Sequence, residues 1–111
     1  MTDRELLDMA AKAAGYKLWW GITDPMIECS EPEHPRKTHN LWNPLEDDGD
    51  ALRLAAALRL HIKPGKHKGD GCTVESNRNG IAGTTAFYDD KNEQMRRAIV
   101  LVAAEIGKAM P

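Results

Sequence analysis

The chain has 111 residues, of which 41% are hydrophobic and 29% charged, and its formal net charge is −2. This length and composition are typical of one globular domain with its own core, and the charge balance disfavours nucleic acid as a partner. The longest apolar run, Ala98 to Ala104, is much shorter than the roughly 20 residues that span a bilayer, so we expect a cytoplasmic protein without a membrane contact.

The first half of the chain predicts one helix, one strand and a long connection. Thr2 can cap a helix over about residues 2–14, Glu5 has the spacing of a capping box, and Gly15 follows where helices commonly end. The aromatic-rich segment 16–22 favours a short strand. Four of the six prolines fall within residues 23–43 or at their edge, which predicts an irregular loop. A connection of this length is typically functional or mobile.

The second half predicts two more helices and a small sheet. One helix begins between Pro44 and Asp48, and a second covers residues 90–109, where Met95, Ile99 and Val102 share one helical face. The candidate antiparallel strands are Leu60–Lys63, Cys72–Ser76 and residues 84–88. The predicted fold class is therefore α+β, a single domain in which a small antiparallel sheet is packed with three helices that can cover both its faces.

The three tryptophans carry different expectations. Trp19 and Trp20 are neighbours on a predicted strand, so their side chains point to opposite faces. Trp42 precedes the second helix, and we expect it to anchor the start of that helix in the core. If one of the three is exposed, it marks a surface for a partner.

Four carboxylates at the start of the second helix have two interpretations. Near the positive end of the helix dipole they stabilise the helix, and this is the interpretation that we favour. The alternative is a site for a divalent cation or for acid–base chemistry, although adjacent acids at a helix start cannot all converge on one point. These residues are Glu46, Asp47, Asp48 and Asp50.

Two further groups of side chains are candidate ligand sites. Residues 59–68 contain no acid, and their cations form a candidate anion-binding turn, although turns are often charged only for solubility. These cations are Arg59, Lys63, Lys66 and Lys68. Cys29, His34 and His39 lie at five-residue intervals and could hold zinc together with Cys72 or His67. The usual short spacing between cysteine ligands is missing, so we predict no metal and no other cofactor.

Residues 42–51 read Trp-Asn-Pro-Leu-Glu-Asp-Asp-Gly-Asp-Ala, which resembles the Trp-x-Pro-x-x-Asp-x-x-x-Ala pattern of small bacteriophage proteins, the phage ABA-sandwich family. Residues 97–106 are similar to the C-terminal helix of that family, and the opening helix followed by an aromatic strand matches its layout. Leu52 stands where family members often carry tryptophan. The resemblance implies an α-β-α sandwich and a phage or prophage origin, and the family has no assigned activity.

No motif indicates a reaction mechanism. The predicted function is therefore that of a non-enzymatic phage or prophage accessory protein, which binds a host or phage macromolecule, with a protein as the expected partner. The candidate binding surface is the start of the second helix, with Trp42, Asn43, Asp47 and Asp48. A small-ligand or nucleotide binder that uses the basic turn 59–68 is the alternative, and a metal-dependent hydrolase is the weaker alternative.

Overall fold

The computed structural model describes residues 2–20, 25–28, 39–66, 70–76, 80–85 and 90–111; for residues 26–28 and 39–40 it describes the backbone alone. Within these ranges the chain forms three helices and six strands. In chain order they are α1 (Asp3–Ala14), β1 (Leu18–Trp20), β2 (Pro25–Glu28), β3 (His39–Leu41), α2 (Asp48–Leu58), β4 (Leu60–Lys63), β5 (Cys72–Ser76), β6 (Ala82–Thr85) and α3 (Lys91–Ala109).

The helices begin and end at the residues that cap them. Thr2 accepts a hydrogen bond from the Glu5 amide at the start of α1, and Gly15 ends α1 with a left-handed φ of 78°. Asp47 accepts a hydrogen bond from the Gly49 amide, so α2 begins at Asp48 and not at Pro44. Side-chain oxygens at these positions satisfy backbone amides that have no partner within the helix.

α3 is the central helix of the fold. It contacts α1, α2 and all three strands of one sheet, β4, β5 and β6. Its buried residues are therefore spread around the helix instead of forming one stripe; they are Gln94, Ala98, Ile99, Val100, Val102, Ala103, Ala104, Ile106 and Gly107. None of the helices in the described ranges is long and apolar enough to cross a membrane.

α1 runs parallel to α3 and lies very close to it. Asp3 contacts Arg97 near one end of the pair, and Lys12 Nζ donates to the Met110 carbonyl oxygen near the other. Between these contacts the backbone of Met9 approaches Gly107 so closely that a Cβ atom at position 107 would overlap the Met9 carbonyl oxygen. The absence of a side chain at Gly107 therefore sets the distance between the two helices.

The strands form two antiparallel sheets. The first sheet has the order β1-β2-β3, and the second has the order β4-β5-β6. The prediction of an irregular segment over residues 23–43 is wrong at both ends, because β2 and β3 lie there. Both strands are very short and β2 begins with Pro25, so their sequences contain no alternation of apolar residues that would predict a strand. They are strands because they pair with neighbouring strands. β6 begins two residues before the predicted strand, and residues 86–88 of that prediction lie outside the described residues.

The second sheet has one covered face and one open face. Cys72, Val74 and Ser76 of β5 are buried on the side of α3. On the opposite side, Lys63 pairs with Glu75, and Thr73 bonds to Thr84, in exposed positions. The α+β class, with a small antiparallel sheet packed against helices, is confirmed. In the described residues the helices cover one face of this sheet, so the order is sheet, α3 and then α1 instead of a sheet between two helical layers.

The close contact at Gly107 leads to a stability prediction. Replacing Gly107 with alanine forces α1 away from α3, and we expect a loss of about 1–3 kcal/mol in the free energy of unfolding, less a helix-propensity gain of up to about 1 kcal/mol. Gly49→Ala is the matched control, because its Cβ would lie 3.3 Å from the movable Arg53 guanidinium and not against backbone. Urea denaturation of both variants measures the difference, and equal stabilities would contradict the prediction.

Candidate functional site

A cleft of about 350 Å³ opens where the start of α1, the first sheet, the turn before α2 and the first half of α3 meet. Its lining combines apolar side chains with charges of both signs. The lining residues are Asp3, Arg4, Leu7, Trp20, Pro25, Asn43, Leu45, Glu46, Glu93, Arg96 and Arg97.

Two adjacent arginines of α3 hold the starts of the other two helices. Arg96 donates from Nε to the Leu45 carbonyl oxygen at 2.9 Å and from Nη1 to Asp48 Oδ1 at 2.5 Å. Arg97 forms a bidentate ion pair with Asp3, in which Nη1 donates to Oδ1 at 2.7 Å and Nη2 donates to Oδ2 at 3.1 Å. Asp48 and Asp3 are the first residues of α2 and α1, so each pair joins α3 to a helix start. Such paired hydrogen bonds give geometric specificity as well as energy.

Trp20 forms the side of the cleft nearest to α1. Its indole Nε1 donates to Asp8 Oδ1 at 2.8 Å, and the Arg4 guanidinium lies over its ring, 4.5 Å from the centroid. Arg4 and Asp8 are four residues apart on α1, so both reach the same side of that helix. These two contacts attach the first sheet to α1.

The turn after Trp42 contributes Asn43, Leu45 and Glu46 to the cleft, whereas Trp42 itself does not line it. Trp42 is only 3% exposed and meets Tyr16 edge to face at 5.7 Å, so it anchors the core as predicted and does not present its ring to a partner. Asn43 lines the cleft. Its side-chain Oδ1 accepts a hydrogen bond from the backbone amide of Leu45, and its backbone amide donates to Asp50 Oδ2 at 3.0 Å. The buried Asp50 therefore ties this turn to α2.

The predicted acidic cluster is distributed over separate contacts. Asp47 caps α2, Asp48 accepts from Arg96 and from Asn92 Nδ2, and Asp50 accepts from Arg53 at 2.7 Å. Glu46 is exposed at the edge of the cleft. Within the described ranges, no group of three or more histidine, cysteine, aspartate or glutamate side chains could hold a metal ion.

The candidate anion-binding turn is spread along the chain in the same way. Arg59 ends α2 in a left-handed conformation with a φ of 53°, and Lys63 pairs with Glu75 at 3.1 Å on the open face of the second sheet. Lys66 is exposed in the turn after β4. Lys68 lies outside the described residues, so the structure does not test the four cations as a group.

The candidate zinc ligands fall mostly outside the described part of the chain. Cys29, His34 and His67 lie in segments that are not described, and only the backbone of His39 is described, in β3. Cys72 is buried on the covered face of β5, and burial raises the pKa of its thiol. In that position the sulfur belongs to the core beside α3.

The outer face of the first sheet carries two large exposed apolar side chains. Trp19 is 52% exposed and Leu41 is 69% exposed. The backbone register pairs Trp19 with Met26, and Met26 with Leu41, so the three positions form one row across the sheet. The sequence indicated the opposite orientations of Trp19 and Trp20. It could not indicate Leu41, because the pattern contains no signal for β3.

No protein-family model, no curated protein and no solved structure matches this chain. The link to small bacteriophage proteins therefore stays a prediction from residues 42–51 and from the layout of the elements.

The contact between Asp3 and Arg97 leads to a pH prediction. The hydrogen bond from Arg97 holds the pKa of Asp3 below its usual 3.8. The stabilisation is therefore complete at neutral pH and is lost as the pH falls below 3.8 through the lower pKa of the folded chain. We expect Asp3→Asn to lower the free energy of unfolding by less than about 1 kcal/mol, since Asp3 is largely exposed. Urea denaturation at a series of pH values tests this, with Glu105→Gln as the control. The difference in the free energy of unfolding between Asp3→Asn and the parent chain should vanish in acid. A difference that persists in acid, or one no larger than that of Glu105→Gln at neutral pH, would contradict the prediction.

The burial of Cys72 leads to a reactivity prediction. In a Cys29→Ser variant, Cys72 is the remaining thiol, and its raised pKa and its burial both disfavour the reactive thiolate. We expect a chromogenic disulfide reagent to label the native chain far more slowly than the same chain in denaturant. Rapid labelling of the native chain would place Cys72 outside the core.

Proposed function

We propose that this chain is a non-enzymatic protein-binding module, an accessory protein of phage or prophage origin, and that it contacts its partner with the outer face of the first sheet. The observation that carries the proposal is the row that contains Trp19 and Leu41. Both side chains are more than half exposed, and the backbone register places them on the same face of the sheet.

The composition of this row is typical of a protein interface. Tryptophan is enriched among the residues that contribute most to binding, because it buries a large rigid surface at a low cost in conformational entropy. Trp20 supports the presentation of its neighbour, since its hydrogen bond to Asp8 and its contact with Arg4 fix β1 on α1. Trp19 is thus held on the outer face by a firmly attached strand.

The hydrogen bonds of the acidic residues at the start of α2 also support a binding role over a catalytic one. Asp47, Asp48 and Asp50 each accept hydrogen bonds that cap a helix or join two elements. A carboxylate with such a task is poorly placed to act as a general base, which needs to reach a substrate proton. We therefore place the binding surface on the first sheet instead of at the start of α2. Of the residues predicted for that surface, Asn43 lies close to the first sheet, two residues after Leu41 in β3.

Affinity capture from a lysate of the host bacterium tests the proposal. The bait is the whole chain, and the test variant carries Trp19→Ser and Leu41→Ser. We expect one partner protein to be recovered by the parent chain and its Kd to rise by roughly thirtyfold in the test variant, which corresponds to the loss of about 2 kcal/mol that truncation of a central aromatic residue typically causes.

The matched control is Leu52→Ser, which removes an exposed apolar side chain from α2, where Leu52 is 48% exposed. Retention of the partner by the control and its loss by the test variant would support the outer face of the first sheet. Equal binding by both variants would contradict it. Stabilisation of the parent chain by ATP or phosphate in a thermal-shift measurement, lost on Lys63→Gln, would favour the nucleotide-binding alternative instead.

A further inference from the structure

The cleft contains apolar surface together with two carboxylates that the fold does not use. Leu7, Pro25 and Leu45 supply its apolar lining. Glu46 and Glu93 also line it, and neither forms an ion pair or a side-chain hydrogen bond among the described residues. Both are partly or fully open to solvent, so an incoming group can reach them.

Two of the three cations of the same cleft are in ion pairs, and the third lies on an aromatic ring. Arg96 is bound to Asp48 and to the Leu45 carbonyl oxygen, and Arg97 is bound to Asp3. Arg4 covers the Trp20 ring. An anionic ligand at Arg96 or Arg97 would have to compete with the contacts that hold α1 and α2 on α3. A cationic ligand would find two carboxylates that have no partner in the described part of the chain. Apart from the two ion pairs, Arg4, Glu46 and Glu93 remain, so the cleft retains a net negative charge.

We infer that this cleft receives a lysine or arginine side chain from the partner protein. The aliphatic part of such a side chain packs against Leu7, Pro25 and Leu45, and its cationic end meets Glu46 and Glu93. Long basic side chains commonly bury an apolar stem while their charge stays at a polar rim. The inference rests on the proposed function, because the basic side chain belongs to the partner.

The size and the position of the cleft fit this occupant. Its volume of about 350 Å³ lies near the lower end of the roughly 300–1,000 Å³ found for small-molecule sites, which suits a short peptide segment better than a large cofactor. β1 borders the cleft through Trp20 and carries Trp19 on its other face. A partner that covers the outer face of the first sheet can thus reach around the sheet edge into the cleft.

Titration of the isotope-labelled chain with capped tripeptides, followed by NMR, tests the inference. The probe is acetyl-Ala-Arg-Ala-amide, and the corresponding peptides with glutamine and with glutamate at the centre are the neutral and acidic comparisons. We expect the arginine peptide to shift the backbone amides of Leu45, Glu46 and Glu93 and the Trp20 indole N–H. We expect its Kd to rise about fivefold in Glu46→Gln/Glu93→Gln, as the loss of a partly exposed ion pair of about 1 kcal/mol implies.

Glu105→Gln is the matched control, since Glu105 is an exposed glutamate of α3 outside the cleft lining. It should leave the Kd unchanged, and added salt should weaken binding to the parent chain. Stronger shifts with the glutamate peptide would show an anion site, and shifts that survive in the double variant or that miss the cleft would overturn the inference. Glu46→Gln and Glu93→Gln are also titrated singly, and the melting temperature of each variant is measured. If the double variant does not fold, the two single variants decide the result.

The outcome is separable from that of the proposed function. If a captured partner is lost on Trp19→Ser/Leu41→Ser and binds Glu46→Gln/Glu93→Gln as tightly as the parent chain, the proposed function stands and the inference fails. If the arginine peptide binds the cleft while the Trp19 and Leu41 substitutions leave partner capture intact, the inference stands and the outer face of the first sheet is not the main contact.

Discussion

The contact between α1 and α3 is the constraint on which the rest of the structure depends. The two helices run in the same direction, so their dipoles are aligned side by side and do not favour the pairing. Dispersion and burial therefore hold the pair together beside the polar contacts at its two ends, and both need close approach. Gly107 permits that approach, because the Met9 carbonyl oxygen occupies the space of a side chain. α1 in turn carries Asp3, Arg4 and Asp8 to their contacts.

Two arginines of α3 fix the positions at which α1 and α2 begin. Arg96 and Arg97 are adjacent in sequence, and they reach in different directions to α2 and to α1. The cleft lies between these contacts, so its walls are positioned by the same bonds that organise the fold. This is why two of its three arginines are paired within the chain, and why its remaining charge comes from Arg4, Glu46 and Glu93.

β1 connects the two proposed contact surfaces. Alternation along a strand points Trp20 toward α1 and the cleft, and it points Trp19 to the outer face of the first sheet. The inward tryptophan is fixed by Asp8 and Arg4, while the outward one stays more than half exposed. A single partner that contacts Trp19 and Leu41 therefore lies within reach of the cleft, which gives the site an apolar part and a polar part.

The sequence by itself determined the three helices, the main strands of the second sheet and the α+β class. Caps such as Thr2 and Gly15 and apolar spacing in α3 are local signals that act within a few residues of where they are read. The anchoring role of Trp42 and the structural use of the acidic residues at α2 also followed from their positions beside a helix start. These features depend on short-range geometry, which a pattern of residues contains.

The tertiary structure alone decided the pairing of the predicted strand β1 with β2 and β3, the parallel pairing of α1 with α3, and the composition of the cleft. β2 and β3 are strands because of their neighbours, and Pro25 at the start of β2 argues locally against one. Leu41 becomes a candidate contact only when register places it in a row with Trp19. Likewise Arg96 and Glu93 are three residues apart on one helix, yet Arg96 is bound to Asp48, whereas Glu93 has no ion pair with any described residue. Contacts between distant segments make that difference, and no local pattern contains them.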